Sequence, residues 1–473
     1  MYSNFFNNKK FYLFLIILLV GFICIGSSFA VNADDYGNVD SDGNVHLTSA
    51  CDNEVVSDVG SNVENIKNST IQSPTISNKN DNSIGNSVNL KEKGKDMNNF
   101  SSSKINPPVH TIYNENDLQN ALNLGSSSIY LCADITLTKP IYATNDVVIE
   151  GNGHTIKSTK PFNVGGAFRW YASKGIITNC IFENTSFKNT SDYSGAIYVY
   201  RGSCRIINCS FNNCHVNTYN HNFNQVCGSG SAICIKHGNC SVVNCVFNSC
   251  YSGNDGGAIY VNSSGSNVSS CIFNGCYANF GGAIYINDKN CSVINCSFND
   301  CHAKYSGAIH ITDKNCSVIN CSFNDCHGLK SGGAIYINDK NCSVVNCVFN
   351  SCYADKFGGA IYSDKINSFI SGCSFVNCSA NSGGAIYFDD VGFVDACIFV
   401  NNTAINDGKA VYLSGLKSRI SDCKFYSKYY SSKIIYWYIK FWERRISFSG
   451  SDCYGLGDKM ETCKYYDLCE YNY

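Results

Sequence analysis

The 473-residue chain carries 35 basic and 37 acidic side chains, a net charge of −2, and is 13% aromatic with 30 cysteines. A balance so close to neutral, with no Lys/Arg cluster in the repetitive part, gives no support to nucleic acid or an anionic membrane surface as partner. So many cysteines in a chain of this length point either to an oxidising compartment or to cysteine used as a small buried hydrophobe.

In chain order, Lys9-Lys10 precede an apolar stretch from Phe11 to Ile25 and then Ser28-Phe29-Ala30. That is the pattern of an export signal over 1–33, with cleavage after Ala30 or Ala33. An uncleaved anchor is the alternative, and no other membrane insertion is expected. Residues 34–108 are Asn/Ser-rich and without periodicity, which reads as a disordered linker. An N-terminal cap and first rungs are expected over 109–160, and repeats over 161–425.

The repeats announce themselves through Cys-x-Phe, which recurs ten times, from Cys180, Cys209, Cys245, Cys271, Cys296, Cys321, Cys347, Cys373, Cys397 and Cys423. Past an irregular start the spacing is 24 to 26 residues. A Gly-Ala-Ile-Tyr patch keeps step, as at Gly282-Ala283-Ile284-Tyr285. Repetition at this period implies a solenoid whose units bury their apolar faces on one another. Within one unit, Ala283–Ile286, Cys291–Ile294 and Cys296–Phe298 read as short strands separated by Asn-Asp-Lys-Asn and a single Asn. No helix-period segment of ten residues is present, so the expected fold is all-β: a parallel β-helix (β-solenoid) of three short strands per rung of about 25 residues.

Equivalent side chains then stack at roughly 4.8 Å. Ile259, Ile284, Ile309 and Ile335 form one inward column, and Phe211, Phe247, Phe273, Phe298, Phe323, Phe349 and Phe375 form another. Asn208, Asn244, Asn295, Asn320 and Asn346 occupy the bend before Cys-x-Phe, where an amide ladder is expected. The Gly-Gly-Ala-Ile and Phe-x-x-Asn/Cys pattern resembles the repeats of chlamydial polymorphic outer-membrane proteins. From about 110 to 425 the chain more closely resembles the adhesin-like proteins of methanogenic archaea, and that resemblance implies the right-handed β-helix of the pectate-lyase type. Asp117–Leu122 fits as a short capping helix, with Ile129–Leu131, Ile135–Leu137 and Val147–Ile156 as first rungs. The tail 426–473, crowded with aromatics but broken by Lys440, Glu443, Arg444 and Arg445, reads as a C-terminal cap or a frayed end.

Twenty-two cysteines fall into three columns. Ten lead the triplets, seven follow at Cys214, Cys250, Cys276, Cys301, Cys326, Cys352 and Cys378, and five stand at Cys204, Cys240, Cys291, Cys316 and Cys342. Neighbouring rungs permit disulfide geometry without demanding it, and mostly free, buried thiols are expected. The Cys/His spacing around His302 and His327 repeats rung after rung and does not converge four ligands on one point, so no metal site and no cofactor are expected.

Hydrolysis needs two or three carboxylates within about 5–10 Å. Asp288, Asp313 and Asp339 belong to turns, Asp389-Asp390 alternate across a strand, and Arg169, Arg201, Arg205 and Arg419 are isolated near the ends; the expectation is a non-enzyme. The residue after each inward Ile should face outward, and it is Tyr at Tyr198, Tyr260, Tyr285, Tyr336, Tyr362, Tyr387 and Tyr412, interrupted by Cys234 and His310. An exposed aromatic ladder flanked by Asn and Asp suits sugar rings, though Tyr also stacks well for strand stability alone. The resulting expectation is an exported surface protein, adhesin-like, whose partners are glycans or proteins on other cells. A polysaccharide lyase or glycoside hydrolase on the same fold, or a structural spacer, is the alternative. A 14-residue insertion near 217–230, beside His215 and His221, adds a candidate local site.

Overall fold

The computed structural model describes residues 109–162, 166–188, 195–217 and 228–427, and short strands at 38–39, 45–46, 436–439, 446–449, 453–461 and 464–467 as backbone. The signal segment, most of the linker, most of the insertion near 217–230, the side chains of Lys188, Asn217 and Leu416 and those beyond 426 lie outside what is described.

Parallel pairing carries the whole repetitive part. One rung runs Ile284–Ile286, Ser292–Ile294, Ser297–Asn299 and His302–Tyr305, and each strand pairs with its counterpart one rung on, Ile284 with Ile309, Val293 with Val318 and Phe298 with Phe323. The three strands expected per rung are present as an Ile ladder, a Val ladder and a Phe ladder. Among the described residues the Phe ladder alone counts thirteen strands, and the returning segment adds a fourth ladder of nine short strands. Up to Ala404 the strands of all four are two to five residues long, because a left-handed residue interrupts the chain at the corners.

Those corners explain much of the composition. Asn208, Asn244, Asn295, Asn320 and Asn346 have φ of 52–54°. Asn213, Asp300, Asp325 and Asn377 turn the next corner with φ of 52–54° as well. Asn and Asp tolerate this left-handed conformation better than other side-chain-bearing residues, because their short polar groups bond locally. Gly281, with φ +60°, makes the corner into the Ile ladder. Its neighbour Gly282 has no room for a side chain, since a Cβ there would lie 2.0 Å from the Gly307 carbonyl oxygen.

The amide ladder is therefore not where the bend asparagines suggested. Asn244, Asn295, Asn320 and Asn346 hold their side chains in solvent and serve the backbone turn. The ladder runs instead through the residue after each Phe. Asn248 Nδ2 donates to Asn212 Oδ1 at 2.8 Å, Asn274 to Asn248 at 2.8 Å, Asn299 to Asn274 at 2.9 Å and Asn324 to Asn299 at 2.9 Å.

The core is one continuous apolar column. From Phe182 to Phe425 the Phe rings stack face to face, with centroids 4.7–5.0 Å apart and planes within 8°. Ile259, Ile284, Ile309 and Ile335 are fully buried beside them. The three cysteine columns are free, buried thiols. They also bond: the Cys245 N–H donates to Cys271 Sγ at 3.4 Å, and Cys271 Sγ donates to the Ser269 carbonyl at 3.2 Å. At two places where a column lacks cysteine a polar residue takes the same bond, with Ser266 Oγ accepting from the Cys240 N–H and Asn402 Oδ1 from the Cys378 N–H. The thiol is thus a compact group that is apolar enough for the core and still satisfies corner N–H groups. Burial pushes the Cys240 thiol up to about 12 and raises that of Cys234 further, so these sulfurs stay protonated.

At the N-terminal end a helix, Glu115–Asn123, is capped by Asn114, whose Oδ1 accepts from the Asn116 and Asp117 N–H groups at 3.0 Å. It buries Leu118, Ala121 and Leu122 on the first rung. At the other end the backbone strand Cys453–Glu461 pairs in parallel with Val411–Ser421, and Ile446–Ser449 pairs antiparallel with it.

Candidate ligand-binding faces

The outward column of the Ile ladder runs Tyr142, Arg169, Tyr198, Cys234, Tyr260, Tyr285, His310, Tyr336, Tyr362, Tyr387, Tyr412 in register. The rings stack along it, Tyr260 on Tyr285 at 5.5 Å, Tyr285 on His310 at 5.1 Å, Tyr387 on Tyr412 at 4.4 Å. The expected exposure does not hold throughout. Tyr198 and Tyr260 are 2% exposed and Tyr362 9%, while Tyr285, Tyr336, Tyr387 and Tyr412 are half-buried.

The returning segment is what covers them. Its backbone presses on the first rings, so that a Cβ on Gly166 would meet Tyr198 Cβ at 2.5 Å and one on Gly230 would meet Tyr260 Cβ at 2.8 Å. Further along, a second ring column leans on the first: Phe280 on His310 at 5.4 Å, Tyr305 on Tyr336 at 6.4 Å and Phe357 on Tyr387 at 4.7 Å. His310 is enclosed, with Ser306 Oγ 3.0 Å from Nδ1, and burial lowers its pKa to about 3.

Two residues beyond each ring lies a polar column. Asn287 Nδ2 donates to Asn262 Oδ1 at 3.0 Å, and Thr312 Oγ1 to Asn287 Oδ1 at 2.8 Å. Towards the C-terminal end this column turns acidic at Asp364 and Asp389. Burial, with those carboxylates and Tyr305 nearby, pushes the Tyr336 phenol up to about 12, and Tyr362 and Tyr387 are raised in the same way. Tyr336, Tyr387 and Tyr412 thus offer aromatic surface with anionic acceptors alongside.

Towards the N-terminal end the same face turns cationic. Tyr142, Tyr171 and Tyr200 form a ring series at 6.3 and 5.1 Å. The Arg169 guanidinium lies 5.8 Å from the Tyr142 and Tyr171 ring centres and 5.4 Å from Tyr198. Lys236 Nζ is 5.2 Å above Tyr200, and Arg201 Nε donates to the Tyr171 carbonyl at 3.1 Å.

The remaining candidates separate. Asp288, Asp313 and Asp339 each accept from the following N–H at 2.6–2.8 Å, as turn formers do. Asp389 stands beside the Tyr column, whereas Asp390 accepts from the Val391 N–H at 2.7 Å. His302 and His327 lie on a ring column of the return ladder that sequence reasoning missed: His215, Tyr251, Tyr277, His302, His327 and Tyr353. Its signal was legible, because each of these residues directly follows a cysteine of the second column. Among the described residues no three His, Cys, Asp or Glu side chains converge as a metal set, and no helix is long and apolar enough to cross a membrane.

No protein-family profile matches the chain, and no curated protein does. Among solved structures, the crystal structure of PfbA, a surface adhesin of Streptococcus pneumoniae, aligns with 73% of this chain and 95% of its own, at 11% identity and a TM-score of 0.34. A superposition that loose carries no argument about what this chain does.

Proposed function

We propose that the protein is an exported, adhesin-like surface β-helix that binds glycans of neighbouring cells without turning them over. The observation that carries this reading is the C-terminal half of the tyrosine face, where half-exposed Tyr336, Tyr387 and Tyr412 lie beside Asp364 and Asp389. Aromatic rings take the apolar face of a sugar while carboxylates accept from its hydroxyls, and a ladder repeats that pairing at each rung. The export pattern of residues 1–33 and the resemblance to adhesin-like repeats support the location.

The test is retention of the full chain on a panel of neutral plant, host and microbial polysaccharides. Retention should fall at least about tenfold in Tyr387→Ala and Tyr412→Ala, the loss of one stacked ring being worth roughly 1–3 kcal/mol by analogy with other aromatic stacking sites. Tyr277→Ala, on the return ladder, should leave it unchanged. Retention of no glycan, or retention insensitive to both tyrosines, overturns the reading.

A further inference from the structure

We infer that the N-terminal end of the same face is a second glycan subsite, selective for carboxylate-bearing sugars; the inference rests on the glycan reading but on different residues. Arg169 is the first reason. Its guanidinium is half-buried among the rings of Tyr142, Tyr171 and Tyr198, makes no ion pair among the described residues, and leaves Nε buried without a hydrogen-bond partner. A cation held in that way keeps its charge unneutralised by any described residue and fixed in position.

The second reason is what surrounds it. Tyr142 is 40% and Tyr200 37% exposed, a platform of the size a pyranose ring stacks on. Arg201 is exposed, and Lys236 stands over Tyr200, so cationic groups flank the platform on successive rungs. His237 closes it edge-on at 6.2 Å from Tyr200. Neutral sugars need only the platform, whereas a sugar carboxylate gains charge-assisted bonds from arginine. Five and six rungs on, the polar column that holds Lys236 carries Asp364 and Asp389 in register, which repel the same ligand. One face therefore presents two ends of opposite preference.

Binding of a hyaluronan oligosaccharide to the full chain, against the same oligosaccharide with its carboxyls reduced to alcohols, tests this. The acidic form should bind, the reduced form at least about tenfold more weakly, and added salt should weaken only the former. Tyr200→Ala, at an exposed position, and Lys236→Gln, at a half-buried one, should each lower acidic binding fivefold or more at unchanged melting temperature, while Tyr387→Ala leaves it intact. Arg169→Gln should abolish it, and the Tyr200 and Lys236 variants decide the matter if Arg169→Gln fails to fold. Equal binding of both forms, binding of neither, or acidic binding that follows Tyr387 overturns the inference. Neutral retention that depends on Tyr387 would meanwhile leave the main functional reading standing.

Discussion

Asn320 and Asn324 stand four residues apart in one rung and answer to different physics. Asn320 turns the chain with φ +53°, and Asn324 reaches back to Asn299 at 2.9 Å. Asn320→Gly should therefore be close to neutral, while Asn320→Val, forced into the left-handed region, should cost about 1–3 kcal/mol. Asn324→Ala should cost about 1 kcal/mol by breaking one ladder bond. Denaturant midpoints of the three variants separate the two roles. The sequence period placed both asparagines in columns but could not tell them apart, since a tight corner and an amide ladder select the same residue. The parity of the tyrosines was legible for the same reason, alternation along a strand. Their burial was not, because it is set by Gly166, Gly230 and Phe357, which lie outside the strands of the returning segment.

Each ladder depends on its neighbours, and two buried titratable groups make that dependence sensitive to pH. Burial holds His310 neutral down to about 3 from the usual 6.5. The unfolded chain takes up that proton first, so stability falls as pH drops from about 6.5 to 3, by about 1.4 kcal/mol per unit of the difference. Asp255 runs the other way. Burial raises its carboxyl from 3.8 to about 7, so the folded state keeps a proton that the unfolded chain has lost, and stability falls as pH rises through that window. His310→Tyr restores the residue type of the column and should flatten the acid limb of a stability–pH curve. Asp255→Asn should flatten the neutral limb. The core ladder itself answers to packing alone: Phe298→Ala removes a fully buried ring between two stacked partners and should cost about 3–5 kcal/mol.

Taken over the whole stack, cysteine is a construction material. The columns predicted as free thiols are free and buried, and where Ser266 and Asn402 replace cysteine they accept from the same corner N–H groups. That second duty was hidden in the sequence, where cysteine is read as hydrophobe, disulfide or ligand. Alkylation of the native protein should leave the columns unlabelled, and unfolding should expose them together. The charge polarity of the tyrosine face was equally hidden. Arg169, Arg201 and Lys236 are scattered along the sequence but meet at one end once the rungs are stacked, and Asp364 and Asp389 lie at the other.

The most direct measurement follows the full chain on neutral and acidic polysaccharides, with and without Ca²⁺, reading retention and new sugar ends in the same tubes. Retention that depends on Tyr387 or Tyr200, with no new reducing or unsaturated ends, is the result expected of a glycan-binding β-helix. Release of new ends in proportion to the protein added would contradict it and make the molecule an enzyme.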